Sequence, residues 1–399
     1  MTDAIRARAE EAARASYGKL LARIAARTGD IMAAEDALSE AFAEALKTWP
    51  AKGVPDQPEA WLTTVARNRL IDAQRRGQRM VVTDEVPGMT ALTVDSDDIP
   101  DDRLRLMFVC AHPAIDRSMH TPLMLQTVLG LEAEEIGRVF LVSPTAMAQR
   151  LVRAKRKIRD ARIPFTLPDR DAMAGRLSAV LEAIYGAFSA DWIEGASDFS
   201  GEAIYLAQLT AGLVDEAEAL GLCALVLFIH ARRDARLANG VLVPLDEQDS
   251  ALWDQAMTGQ AEALLRRASA QKAMGRFQLE AAIQSVHAAR PRTGRTDWRA
   301  LSQLYAGLNA AYPTIGGAVS QAAAVGRDAG PGAGLDMLAR IEDAAIATFQ
   351  PAWAVRADLL RRAGRLDEAR AAYDKAISLC TDAPLRRWLE RQAATLPLH

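Results

Sequence analysis

Cysteine is scarce in this sequence, and the three that occur lie far apart. Cys110, Cys223 and Cys380 form no Cys-x-x-Cys pair and show no Cys/His spacing typical of metal ligands. Neither a disulfide framework nor a structural zinc site is therefore supported, since both need cysteines at short, regular spacings. We expect all three thiols to be buried as small apolar side chains.

Long apolar runs are also missing. The longest lies near residues 220–229 and is far shorter than the roughly 20 residues needed to cross a bilayer. The first residues form a charged segment of helical pattern, not the apolar core of a signal peptide. The pattern predicts a cytoplasmic protein without a membrane partner.

Patterns that carry catalysis are absent as well. The histidines are dispersed, and no nucleophile with a base, phosphate-binding loop or metal-ligand spacing occurs. The nearest approach is Leu-Asp-Glu-Gln-Asp at 245–249, which with Trp253 and His230 or His287 suggests carboxylates in a helical pocket. We expect no enzymatic activity, no metal and no cofactor.

What the sequence has in quantity is helix-forming residues. Half of the 399 residues are apolar and 25% are charged, with much Ala, Leu and Arg, which predicts an all-α protein. The length exceeds that of one ordinary domain. Breakers and composition divide the chain into a helical domain at 1–80, an acidic flexible linker at 81–100, a second small helical domain at 101–163, and a large helical extension at 170–399.

The net charge of −3 conceals an uneven distribution. Basic residues concentrate at 67–79 and at 150–162, whereas the stretch from Asp95 to Asp102 is acidic. Two basic patches within a nearly neutral chain indicate local contact with nucleic acid.

The second basic patch belongs to a pattern typical of a helix-turn-helix. Ile136 with Val139 or Phe140 gives the first helix its apolar face, and Val142 fills the turn. Ser143 is placed to cap the second helix, with a proline at its first position. Candidate DNA-contacting residues of this helix are Ser143, Thr145, Ala146, Gln149 and Arg150 near its start, and Arg153, Lys155 and Arg156 toward the phosphates. The alternative is a basic helix that is merely solvated.

The first domain holds two further patterns. In the stretch Ala-Glu-Asp-Ala-Leu-Ser-Glu-Ala-Phe at 34–42, Asp36 and Glu40 share one helical face and offer an acidic patch to a basic partner. Leu38 and Phe42 face inward or toward that partner. After a Pro-rich loop, Trp61 precedes a basic helix, a combination suited to holding an unstacked base and its backbone. Any surface helix can carry such acids, and a lone tryptophan is more often a core residue.

Taken together, these stretches resemble the extracytoplasmic-function sigma factors of the sigma-70 family over residues from about 10 to 162. The resemblance implies that Asp36, Leu38, Glu40 and Phe42 lie on the surface that binds RNA polymerase core. It implies that the loop from Ala51 to Pro58, with Trp61 and Asn68, holds a flipped promoter base where melting begins. The basic helix adds the other candidate DNA-binding residues, Arg67, Arg69, Asp72, Arg75 and Arg76. The helix-turn-helix would read the upstream promoter element, and the acidic linker would run through the polymerase.

The extension is similar to that of a subgroup with a large C-terminal helical domain. The similarity rests on residues 240–249 with Trp253 and Asp254, and on residues 278–283 with His287. Near 350–384, small and aromatic residues follow tetratricopeptide spacing: Trp353, Ala357, Leu360, Gly364, Ala369, Tyr373 and Ala376. A generic antiparallel helix pair is the alternative. Two departures stand out, Gly137 where alanine is usual and a Gly/Ala-rich stretch at 313–325.

Two roles for the whole chain follow. In the first, the protein is a sigma factor regulated through its extension, which contacts the sigma domains or a regulatory protein. In the second, it is a helix-turn-helix regulator with a tetratricopeptide-like sensor domain and no sigma activity. The second role requires neither the 34–42 pattern nor the Trp61 loop and the basic helix after it.

Overall fold

The computed structural model describes residues 16–80, 101–194 and 199–397. Helices make up most of these ranges. The strands found there are two strands of two residues each, paired in one hairpin, which confirms the all-α prediction. The chain divides into two compact units, residues 1–210 and 211–399. The predicted acidic linker at 81–100 lies outside the described residues.

The first described helix of the first unit, α1, spans residues 16–28. It continues with α2 (Ile31–Lys52), α3 (Pro58–Met80), α4 (Asp102–Cys110), α5 (Arg117–Leu129), α6 (Ala133–Val139), α7 (Pro144–Asp160), α8 (Arg170–Glu194) and most of α9 (Phe199–Leu213). α8 packs on α4 and α5. It thus belongs to the compact first unit, although the sequence places it in the extension.

The second unit is a series of helices interrupted once by the hairpin. Its helices are α10 (Ala217–His230), α11 (Gln255–Ala270), α12 (Arg276–Ala288), α13 (Arg290–Thr293), α14 (Trp298–Ala311), α15 (Ile315–Asp328), α16 (Pro331–Ala339), α17 (Gln350–Arg362), α18 (Leu366–Leu379) and α19 (Ala383–Ala394). The strands β1 (Leu237–Ala238) and β2 (Val241–Leu242) pair antiparallel between α10 and α11.

Local sequence explains where the first helices begin and end. The Asp30 carboxylate accepts hydrogen bonds from the backbone N–H groups of Met32 and Ala33, which caps α2. α2 stops at Gly53, and α3 starts at Pro58, a residue preformed for the first helical turn. The loop predicted from the prolines is therefore confirmed, although Pro50 itself lies inside the last turn of α2.

Just beyond the Gly/Ala-rich stretch, α15 packs closely against its neighbours at two glycines. Gly326 of α15 and Gly334 of α16 face each other so closely that a Cβ on Gly334 would lie 2.8 Å from the Cα of Gly326. A Cβ on Gly326 would lie 2.3 Å from the side chain of Leu359 in α17. Larger residues would force these three helices apart.

The residues with tetratricopeptide spacing lie in α17 and α18 and in the turn between them. Ala357, Leu360, Ala369, Tyr373 and Ala376 are buried in one cluster, against which Trp353 packs. This arrangement is a tightly packed helix pair.

All three cysteines are free and buried, as predicted. Over the described ranges, no helix combines the length and the hydropathy needed to span a membrane.

Candidate nucleic-acid interface

The helix-turn-helix consists of α6 and α7. Ser143 caps α7 by accepting a hydrogen bond from the backbone N–H of Ala146 at 3.4 Å, and Pro144 occupies the first helical position, as predicted. One face of α7 packs inward through Met147, Leu151, Ala154 and Ile158. This buried face fixes which α7 side chains point outward.

The apolar face predicted for α6 needs correction. Ile136 is buried, but Val139 is 64% exposed and Phe140 is 37% exposed. α6 has only seven residues and ends at Val139, so the chain turns away before these side chains can reach the core. Leu141, in the left-handed region at φ 53°, is 94% exposed, which leaves an apolar tip on the turn.

Gly137 is explained by the turn. Its carbonyl accepts a hydrogen bond from the N–H of Val142 at 2.9 Å, which folds the turn back over α6. A Cβ at position 137 would lie 2.6 Å from the carbonyl oxygen of Val142. Glycine in a helix costs about 1 kcal/mol relative to alanine. At position 137 this cost is offset because the methyl group of alanine would press against the Val142 carbonyl and disturb the turn.

The outward face of α7 carries most of the predicted DNA-contacting residues. Five are exposed: Thr145, Gln149, Arg150, Arg153 and Arg156; Ser143 is exposed beside them, and Ala146 is half-buried. Arg150, Arg153 and Lys157 line one wall of an open groove. The other wall of this groove is formed by residues from Ala114 to Met119. Cations along one wall of an open groove can neutralise a phosphate backbone.

Lys155 lies on the other side of the helix. Its side chain is 6% exposed, and its Nζ donates hydrogen bonds to both carboxylate oxygens of Glu35 in α2, at 2.8 and 2.7 Å. The structure therefore places Lys155 in an ion pair within the unit, away from the groove, because position 155 follows the buried residue Leu151 by one helical turn. The same contact joins α7 to α2.

The acidic face of α2 is arranged largely as expected. Asp36 and Glu40 are exposed, Phe42 is half-buried, and Leu38 is fully buried. Leu38 therefore faces inward, which was one of its two predicted orientations. The Oε2 of Glu40 lies 3.4 Å from the Nε of Arg69 in α3. A glutamate predicted to contact the polymerase therefore forms an ion pair with an arginine predicted to contact DNA.

Trp61 is half-buried at the start of α3. Its ring meets the buried ring of Trp49 edge to face, with 5.5 Å between the centroids. One side of Trp61 is thus fixed by packing while part of its surface is left exposed. Four α3 residues beyond it are exposed, namely Arg67, Asn68, Asp72 and Arg75; the side chain of Arg76 lies outside the described residues.

Sequence reasoning missed three participants. Trp49 supports Trp61, Glu44 lies 3.8 Å from Arg69, and Glu35 holds Lys155. Glu44 follows Glu40 by one helical turn, so the spacing of the acids on α2 was a usable signal. The Glu35–Lys155 contact spans 120 positions in the sequence, and no local pattern indicates it.

Comparison with known proteins gives matches in both parts of the chain. Residues 14–80 match the family model described as sigma-70 region 2, and residues 176–269 match a family of unknown function, DUF6596. An uncharacterized protein of Rhizobium meliloti (strain 1021) is 38% identical over 376 residues, which cover 90% of this chain and 89% of that protein. No solved structure matches the chain.

Proposed function

Since the chain belongs to the family of the rhizobial protein and carries a sigma-70 region 2 followed by a DUF6596 domain, we propose that it is a sigma factor of the extracytoplasmic-function type. It binds RNA polymerase core and directs promoter recognition and transcription initiation. The match of residues 14–80 to sigma-70 region 2 carries this proposal. Sigma-70 factors are non-enzymatic, and the proposal includes no catalytic step.

The polymerase-binding surface is the exposed side of α2. Asp36 and Glu40 are exposed there, and Phe42 is half-buried beside them. Leu38 supports this surface from beneath, because it is fully buried and fixes the rotation of the helix. A rigid helix with exposed acids suits a basic or mixed helical surface on the polymerase.

The promoter-melting surface is formed by Trp61 and α3. The Trp61 ring, held by Trp49 on one side, is placed to stack on an unpaired base. Exposed Arg67, Asn68 and Arg75 follow along the same helix, and the two arginines contact the adjoining DNA backbone.

The upstream element is read by α7. Its capped N-terminus presents Ser143, Thr145, Ala146 and Gln149 to base edges, while Arg150, Arg153 and Arg156 neutralise phosphates. Lys155 has no DNA contact in this arrangement, since it is bonded to Glu35.

The helical extension, which includes a tetratricopeptide-like pair at α17 and α18, regulates this activity by contact with the sigma domains or with a regulatory protein. The helix pair and the helices before it supply the surface for such a contact. The protein acts in the cytoplasm, where the polymerase and promoter DNA are found.

The test is reconstitution of the full-length protein with sigma-free RNA polymerase core and a library of genomic promoters, with transcript starts as the readout. We expect initiation that is strongly reduced by Asp36→Ala and by the double change Arg153→Gln with Arg156→Gln. Asp171→Ala removes an exposed acid outside the proposed surfaces and is expected to leave initiation unchanged.

The same experiment separates the two functions. Binding to promoter DNA without binding to core or initiation would contradict the sigma assignment and favour a helix-turn-helix regulator. Initiation that survives removal of residues 211–399 and still responds to the inducing signal would contradict regulation by the extension.

A further inference from the structure

Two domains that the proposed function uses for different tasks are packed against each other in the first unit. One consists of α1–α3, with the polymerase-binding and promoter-melting surfaces, and the other of α4–α7, with the helix-turn-helix. They meet where α1 touches the end of α5 and where α2 touches α7. The proposed function assigns no role to this meeting of α1–α2 with α5 and α7, here called the interdomain contact.

α1 and α5 approach each other backbone to backbone. A Cβ on Gly18 of α1 would overlap the carbonyl oxygen of Val128 in the last turn of α5. Both residues are buried. Just beyond them, a Cβ on Gly130 would lie 3.3 Å from the ring of Tyr17. Alanine is the better helix former, so the close approach of α5 explains why α1 has a glycine at position 18.

An ion pair forms the second part of the interdomain contact. The Nζ of Lys155 in α7 donates to both carboxylate oxygens of Glu35 in α2, and the Lys155 side chain is only 6% exposed. Each partner adjoins a residue that the proposed function uses, since Asp36 follows Glu35 and Arg156 follows Lys155. While the ion pair lasts, the polymerase-binding helix and the DNA-reading helix are therefore held together.

α1 belongs to the first domain through separate contacts. Ser16 and Lys19 of α1 donate to the two carboxylate oxygens of Glu59, at 3.0 and 2.9 Å. Glu59 lies in the first turn of α3, two positions before Trp61. These bonds do not depend on α5, so the interdomain contact can open at Gly18 while α1 stays on α3.

The helix-turn-helix domain also has supports of its own. α8 packs on α4 and α5, and Arg176 of α8 donates to the carbonyl of Phe108 in α4 at 3.2 Å. Arg103 of α4 pairs with Asp101 and with Glu202 of α9. These contacts involve neither α1 nor α2, so each domain keeps its internal packing when the interdomain contact opens.

The interdomain contact brings a cationic helix next to the helix that binds polymerase. Besides Lys155, α7 carries four exposed cations: Arg150, Arg153, Arg156 and Lys157. The exposed acids of α2, Asp36 and Glu40, attract a basic partner. Like charges repel, so α7 and a basic polymerase surface compete for the neighbourhood of α2.

We propose that the interdomain contact is autoinhibitory: α7 docks on α2 in the free protein, and polymerase bound to α2 displaces α7 and frees the helix-turn-helix for the upstream element. This inference rests on the proposed function and adds a regulatory contact between the two sigma domains themselves. The stretch 81–100 can span about 65 Å when fully extended, so the covalent connection permits the separation. A closed form reduces the apparent affinity for polymerase to the extent that it is populated.

The first measurement is the distance between the two domains in the full-length protein. Nitroxide labels are attached to Lys47→Cys in α2 and Asp160→Cys at the end of α7, two exposed positions, while the three native cysteines are buried. By double electron–electron resonance we expect one short distance in the free protein and a longer one after RNA polymerase core is added. An unchanged short distance in a complex that initiates transcription would overturn the proposal.

Gly18→Ala opens the contact without removing a charge. The added methyl group collides with the Val128 carbonyl, although alanine suits α1 itself. We expect the longer distance already in the free variant, and an apparent affinity for core at least about threefold higher than that of the wild type. Gly175→Ala is the matched control, because a Cβ on this exposed glycine of α8 would meet no neighbouring segment within 4 Å. Both quantities should be unchanged in it.

Glu35→Cys combined with Lys155→Cys creates both states in one variant. The thiols are joined by a bis-methanethiosulfonate reagent, which bridges positions too far apart for a direct disulfide and is released by reductant. The joined protein is held closed, and we expect it to bind core at least about tenfold more weakly than the same sample after reduction. Equal binding before and after reduction would contradict autoinhibition, whether or not Gly18→Ala folds.

The affinity for core separates this inference from the proposed function. If the wild type, Gly18→Ala and the reduced double variant all fail to bind core, the sigma assignment fails and the inference fails with it. If the wild type binds core and Gly18→Ala is open in the free state but binds no more tightly, the sigma assignment stands and autoinhibition alone is wrong. Binding by Gly18→Ala that exceeds binding by the wild type and by Gly175→Ala supports both.

Discussion

Each of the two compact units contains a cation drawn at least partly out of solvent, and the two have opposite surroundings: Lys155 is buried, whereas Arg232 is half-buried with only its Nε fully shielded. In the first unit, Lys155 bonds both oxygens of Glu35. In the second, Arg232 has an amide oxygen as its partner and an unpaired Nε. A shielded charge with its own counter-ion forms a complete internal contact, whereas one without a counter-ion keeps part of the cost of its removal from water.

Pairing and burial therefore distinguish structural cations from binding cations better than the presence of a charge does. Lys155 and Arg156 are neighbours in a basic stretch, yet one is buried in an ion pair and the other is exposed. The predictions below test whether pairing and burial decide the role of each cation.

The largest effect on stability is expected for Lys155→Met. The substitution leaves Glu35 partly buried without its partner, and we expect the free energy of unfolding of the first unit to fall by about 3 kcal/mol. Urea denaturation at neutral pH measures this loss. The double change Glu35→Leu with Lys155→Met is expected to recover most of it, and Lys157→Met, at an exposed lysine of the same helix, to cost little.

The loss caused by Lys155→Met should also shrink on acidification. Burial already raises the pKa of Glu35 above its ordinary value, and removal of the Lys155 ammonium raises it further. A carboxyl with a raised pKa in the folded state favours folding at low pH, and that advantage disappears as the pH rises through the unfolded-state and then the folded-state pKa. An effect of Lys155→Met that is independent of pH would contradict this origin.

The second unit should respond to pH in the opposite direction through His287. Its pKa is lowered to about 4 in the folded protein by burial and by Arg232 and Arg290. The unfolded chain therefore binds a proton first on acidification, so stability present above about pH 6.5 is lost as the pH falls toward 4, by on the order of 2–3 kcal/mol. Denaturation of His287→Gln over this range should show a flatter pH dependence; an unchanged slope would assign the effect to another group.

A smaller change is expected for Arg232→Met. The substitution removes a charge that has no counter-ion and leaves the Gln284 oxygen without its donor, so these effects oppose each other. We expect the free energy of unfolding to change by less than about 1 kcal/mol. A loss as large as that for Lys155→Met would show that the guanidinium is already compensated inside the protein, and the comparison between the two cations would fail.

The smallest effect on stability is expected for Arg156→Gln, because this side chain is exposed. We expect unfolding to change by less than about 0.5 kcal/mol, while binding to promoter DNA weakens and its salt dependence decreases by about one unit in the log–log slope. Binding measured at several salt concentrations checks both expectations. An unchanged slope would indicate that Arg156 does not contact phosphate.

How much of the site was predictable depended on how local its determinants are. The cap at Ser143, the start of α7 at Pro144 and the exposed acids of α2 follow from short patterns in which neighbouring residues determine each other's environment. The prediction of an apolar face on α6 was wrong beyond Ile136, because helical periodicity does not show where a short helix ends. Burial of Lys155 was missed because its partner is 120 positions away.

The sequence by itself determined the helical class, the helix-turn-helix with its cap, and the burial of the cysteines, since composition and short-range periodicity govern these features. Only the tertiary structure decided which basic residues remain exposed and which are paired. It also decided that Gly137 makes room for the Val142 carbonyl, and that Arg232, Trp253 and His287 line one cavity. These features depend on contacts between segments that are distant in the sequence, and no local sequence pattern indicates such contacts.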